Sequence, residues 1–147
     1  MSGTKLEDST TGRSATQKAT GGAAWVLATS AGAATVTASS GNVANASAVA
    51  TLPAVAAKTN NLSGLLISGA GATAASVVTA TVTGLLGGTM SITVPVPAGA
   101  AVGITPIYLD FNPPLPASAV NTAIVVTLPA LGAGNTNASV SAWDYVF

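Results

Sequence analysis

Charge is nearly missing from this chain. Of its 147 residues only 5% are Asp, Glu, Lys or Arg, where an average soluble domain carries roughly 25%. The eight are Lys5, Glu7, Asp8, Arg13, Lys18, Lys58, Asp110 and Asp144, and five of them fall in the first eighteen residues. Between Lys58 and Asp110 there is none. A free monomer usually keeps itself soluble with mixed surface charge and a net charge away from zero. Here the formal net charge is zero. Such a surface suits a chain that is covered by copies of itself or by a partner.

Cysteine and histidine are absent. That excludes disulfides, thiolate and imidazole metal ligands, and any nucleophile activated by a histidine. No cofactor is expected. The four cations are scattered, and aromatics make up 4% of the chain. Neither phosphate neutralisation nor base stacking has the residues it needs, so nucleic acid is not an expected partner. The opening MSGTKLEDSTTGRS holds no apolar run and does not read as a secretory signal. The stretch from Leu62 to Leu86 is uncharged and long enough for a membrane helix. It is filled with Gly, Ser and Thr, and its second half alternates Val with Thr, so it reads as strands. No membrane partner is expected.

What the chain does have is period-two patterning. Residues 1–22 form a polar leader, with Leu6 its large apolar residue after Met1. Too little can be buried there for it to fold alone, so it reads as an extended arm lying on a neighbour. Residues 23–147 read as one domain. Trp25-Val26-Leu27 is a first short strand, with Thr35-Val36-Thr37 its partner across the SAGA turn. Residues 39–61 are small and polar, with at most one helical turn near Ala54–Lys58. Leu65-Leu66-Ile67 is a buried strand. Val78, Ala80 and Val82 alternate with Thr79, Thr81 and Thr83. After GLLGG, Met90, Ile92, Val94 and Val96 alternate with Thr89, Ser91 and Thr93, which makes a hairpin. Ile107, Leu109 and Phe111 share a face opposite Tyr108 and Asp110. Residues 112–116 (NPPLP) read as a stiff extended loop. Ile124, Val126 and Leu128 mark a further strand. In the last, Trp143, Tyr145 and Phe147 oppose Val140, Ala142, Asp144 and Val146. About eight short strands between Gly/Pro turns predict an all-β fold: an antiparallel β-sandwich, jelly-roll-like, with an extended N-terminal arm.

Few residues offer chemistry. Outside the leader the side-chain carboxylates are Asp110 and Asp144, on different strands. Paired, they could do acid–base work on a polysaccharide. The plainer reading puts each on an exposed face or against a polar backbone group. Gly-rich pieces such as GAGAT and GLLGG lack a Walker lysine and are turns. Three Asn-x-Ser matches, at Asn45, Asn61 and Asn137, are expected by chance in a chain this rich in Asn and Ser. The Trp143, Tyr145, Phe147 stripe is either a sugar-stacking face or, preferred here, core or subunit interface. Trp25 either anchors the start of the domain or inserts into a neighbour. With Leu6 and Arg13 on the arm, these residues form the candidate interface set. No catalytic residue is expected.

The run LSGLLISGAGATAASVVTATVTGLLGGTMSITVPVPAGAAVGITPIYLDFNPPLPAS, followed by NTAIVVTLPALGAGNTNASVSAWDYVF, resembles small virion proteins of tailed bacteriophages. The features that carry the likeness are the G-x-G-A-T-A turn, the Thr/Val strand, the GGT hairpin, the VPVPAG and PPLPAS loops and the ending LPALGAGNTNASVSAW. They cover roughly residues 60–147, and the arm has none of them. Proteins of this kind include capsid decoration (cement) proteins and head fibres, β-rich and often trimeric. The resemblance implies a non-enzymatic protein on the outer surface of a phage capsid. Its partners would be the coat protein and further copies of itself in a homotrimer, with residues 1–22 as a clamp. The alternative is a tail-fibre or receptor-binding module using Trp143 and Tyr145 on a host glycan.

Overall fold

The computed structural model describes residues 5–7, 14–16 and 34–147, with side chains from residue 37 onward. The chain divides into two units, Met1–Gly32 and Ala33–Phe147. In the first, β1 (Lys5–Glu7) and β2 (Ser14–Thr16) are extended segments that pair antiparallel, with Leu6 opposite Ala15. The expected strand at Trp25-Val26-Leu27, its SAGA turn and the expected boundary at residue 22 lie outside the described residues. So do the side chains of Leu6 and Arg13.

The second unit is an antiparallel β-sandwich. Its eight strands are β3 (Ala34–Ser39), β4 (Ala48–Leu52), β5 (Asn60–Ala70), β6 (Ser76–Leu85), β7 (Gly88–Val96), β8 (Ile107–Pro116), β9 (Ile124–Leu128) and β10 (Asn137–Val146). One sheet has the order β3-β10-β5-β8 and the other β4-β9-β6-β7. Four of the pairings nest: β3 with β10, β4 with β9, β5 with β8, β6 with β7. This is one long hairpin rolled over on itself, the strand order of a jelly roll. There is no helix among the described residues.

Alternation decides which side of each strand faces in. On β6, Ala80, Val82 and Leu85 are buried while Thr79 and Thr83 are exposed. On β7, Val94 and Val96 are buried. On β9, Ile124, Val126 and Leu128 are buried. The first sheet answers with Leu65, Ile67, Val140 and Ala142. These apolar faces form one core between the sheets, and burying each large side chain there stabilises by about 1.5–3 kcal/mol. The hairpin expected at GLLGG is present: Leu85 pairs with Gly88, and Gly88 supplies a φ of +92° that a side chain would resist.

Three local expectations are corrected. Ala54–Lys58 forms no helical turn. The Lys58 amide donates to the Val55 carbonyl at 3.1 Å, a tight turn with Ala57 at φ +58°. Nearby, Ala48–Leu52 is the strand β4 rather than irregular chain, with Ala48, Ala50 and Leu52 buried. The segment from Asn112 to Pro116 belongs to β8. Prolines are tolerated there because β8 is the edge of its sheet, and Pro113 and Pro114 fall in a stretch that has no register partner on β5. Residues 111–114 stand opposite the single residue Ser63, between the pairs Leu62–Leu115 and Gly64–Asp110.

Candidate functional site

The outer face of the first sheet gathers the exposed aromatics. On β10, Ala142 and Asp144 point into the core, so Trp143 between them points out. The register then fixes its neighbours. Trp143 pairs with Thr37 on one side and Gly64 on the other, and Gly64 pairs with Asp110. One row away, Ser141 pairs with Ser39 and Leu66, and Leu66 pairs with Tyr108. Thr37, Ser39, Tyr108 and Asp110 are exposed, and Leu66, Ser141 and Trp143 are half-buried.

The indole of Trp143 lies over Gly64. A Cβ added at Gly64 would stand 2.5 Å from the indole and 2.7 Å from the Leu109 carbonyl oxygen. Glycine is therefore what lets the ring lie down on the sheet and extend toward β8. There it meets Tyr108, whose ring centroid is 5.6 Å away with the planes tilted by 31°. Tyr108 is 62% exposed. The result is an aromatic shelf with Asp110 along one side and the hydroxyl residues Thr37, Ser39 and Ser141 along the other. Ser141 Oγ lies 3.1 Å from Ser39 Oγ, which ties that border together.

The expected stripe of Trp143, Tyr145 and Phe147 is thus not core. Tyr145 and Phe147 are exposed, and the core side of β10 is Ala138, Val140, Ala142 and Val146. The backbone of Tyr145 is held by Asn61, whose Nδ2 donates to its carbonyl at 3.3 Å. Tyr108 is the member of the shelf that sequence reasoning left out. Its alternation with Ile107 and Leu109 already placed it outward, but nothing in the sequence pairs β8 with β5 and so brings it beside Trp143.

Asp110 and Asp144 do not form a carboxylate pair. Asp110 is exposed on the outer face, while Asp144 is fully buried on the core side. Of the two positions expected for Asp144, an exposed face or one against a polar backbone group, burial excludes the first. Among the described residues no group of three His, Cys, Asp or Glu could hold a metal ion. Among them, too, no helix is long and apolar enough to cross a membrane; residues 62–86 are spent in β5, β6 and their turns. Other concavities are an apolar groove at the β6–β7 hairpin, lined by Leu85, Leu86, Met90 and Leu115, and a small polar one at Asn42, Ser68 and Ser139.

The geometry defines a jelly-roll sandwich carrying an exposed aromatic shelf with one carboxylate beside it. Comparison with protein-family models, curated proteins and solved structures returned no match.

Proposed function

We propose that this chain is a non-enzymatic structural protein of a bacteriophage particle, a decoration protein bound to the outer surface of the capsid and stabilising its coat subunits. One observation carries the reading. From residue 37 to residue 147 the charged side chains are Lys58, Asp110 and Asp144, and Asp144 is buried. The surface of the sandwich is left with two. Its surface is built instead from Thr, Ser, Ala and Val, with Val49 and Val77 exposed on strands and Val102 and Val120 exposed on loops. A β surface of that kind suits close packing against neighbours, where no ion has to be stripped of water. The likeness of residues 60–147 to small phage virion proteins points the same way.

In this reading the protein acts by bridging. Burying area on two or more coat subunits at once raises the cost of separating them, and the gain comes from multivalent contact rather than chemistry. Copies of the chain, grouped as a homotrimer, would cover one another's uncharged faces and sheet edges. Immunogold electron microscopy of intact particles, with antibody to this chain, tests it. Gold over the head is the expected result. Gold confined to the tail would replace decoration with a fibre role, and unlabelled particles with an accessible epitope would overturn a surface virion role.

A further inference from the structure

We propose that the Tyr108–Trp143 shelf is a carbohydrate-binding site that takes one neutral pyranose ring, with Asp110 accepting hydrogen bonds from its hydroxyls. This goes beyond decoration and holds wherever on the particle the chain sits.

Three features of the shelf fit a sugar together. The first is shape. Gly64 removes the side chain that would lift the indole, so Trp143 lies along the sheet and leaves a ring face available beside the largely exposed Tyr108. Two rings 5.6 Å apart at 31° are offset-stacked and make a stepped floor, most open at Tyr108. A pyranose presents an axial C–H face to such a floor. The hydrogens carry partial positive charge and meet the negative faces of the rings. The second is polarity. Sugar hydroxyls surround the ring's edge and need partners there. Asp110 lies in the same cross-strand row as Trp143, and Thr37, Ser39 and Ser141 border the opposite side. An ionised carboxylate accepts hydrogen bonds more strongly than a neutral oxygen does.

The third feature is the sign of the charge. The shelf has an anion beside it, and Lys58 is the one cation from residue 37 to residue 147. A nucleotide would bring phosphates with nothing to neutralise them. A uronic or sialic acid would bring a carboxylate toward Asp110. A neutral sugar brings neither. The same charge argument gives the discrimination: neutral pyranosides in preference to acidic ones, and less of that preference once Asp110 is made neutral.

The test is an array of neutral and acidic glycans probed with the full chain, followed by titration of the neutral hits. Titrations use a Trp25→Phe background so that Trp143 is the one indole reporting by fluorescence. The expected result is saturable binding of neutral pyranosides that shifts Trp143 emission. Tyr108→Ala should weaken it roughly tenfold, the scale of one aromatic contact of about 1.4 kcal/mol, with an unchanged melting temperature because Tyr108 is a surface residue. Asp110→Asn should weaken neutral sugars less and narrow the gap to acidic ones. No neutral hits, or hits that survive Tyr108→Ala, overturn the proposal. So does an unsubstituted chain that binds no sugar but stays on particles, when Tyr108→Ala makes it detach, which would assign the shelf to a protein partner.

Discussion

Trp143 rests on Gly64, its partner across the β5–β10 ladder, and each needs the other: the ring covers a backbone that has no side chain, and the missing side chain makes room for the ring. Gly64→Ala should therefore lift the indole into solvent. A destabilisation of about 1–3 kcal/mol is expected, the usual scale of overpacking. Chemical denaturation measures it, and in a Trp25→Phe background a red shift of Trp143 emission in the folded state would place the damage at the ring.

Asn60 is a second fixed point, and a buried one. Its Nδ2 faces three carbonyl oxygens, those of Leu52 at 3.4 Å, Pro53 at 2.9 Å and Thr122 at 3.0 Å, and so ties the end of β4 to the loop before β9. Asn60→Asp would turn that donor into an acceptor facing three acceptors. A loss of about 2–4 kcal/mol is expected, from buried polar groups left without partners. Asn60→Ala should cost less than the aspartate. Thermal melts of the two variants check the order.

The core is built from side chains of both sheets, and Leu65 and Leu128 are fully buried within it. Leu128→Ala should destabilise by about 2–5 kcal/mol, the transfer and cavity costs together. Val77→Ala, at a position 67% exposed, should stay within about 0.5 kcal/mol. Urea midpoints give both numbers.

Ala57 holds a φ of +58°, which its Cβ resists, and its amide donates to Asn121 Oδ1 at 2.6 Å. Ala57→Gly should relieve the turn and leave the amide bond in place. A gain of about 0.5–1 kcal/mol is expected after the added freedom of the unfolded chain is subtracted. A raised melting temperature is the readout.

Deleting residues 2–20 should leave the sandwich folded, because the core draws its buried side chains from Ala48 to Val146. Under the decoration reading the same deletion should weaken attachment to particles. Sedimentation of particles mixed with each form measures it, and equal occupancy would remove the clamp role from the leader.

Strands with β-branched alternation were legible from the sequence. Val78 to Val82, Met90 to Val96 and Ile124 to Leu128 each carry a period of two that only a half-buried strand explains. β4 was not, although Ala48, Ala50 and Leu52 alternate as cleanly. Alanine is small enough to read as loop or helix, and what selects a strand is its pairing with β9, 76 residues further on in the pair Ala50–Val126. The proline segment of β8 misled for the same reason, since only the sheet order reveals an edge. The candidate site was half legible. Alternation put Trp143 and Asp144 on opposite sides of one strand, but which side was core depended on what β10 packs against. Tyr108 and Gly64 join Trp143 through cross-strand register, which has no local signature.

The nested pairing also sets when this chain can fold. Ala34 pairs with Val146, and β10 lies between β3 and β5 in the middle of its sheet. The outermost loop must close before that sheet is whole, and contacts so distant in sequence are slow to find, on the order of milliseconds to seconds. On the ribosome the sandwich must wait until β10 has emerged. Through that interval its Thr/Val strands are exposed with almost no charge to hold them apart, so yield in the cell should be governed by the rate of synthesis and by chaperone capacity more than by the stability of the finished fold.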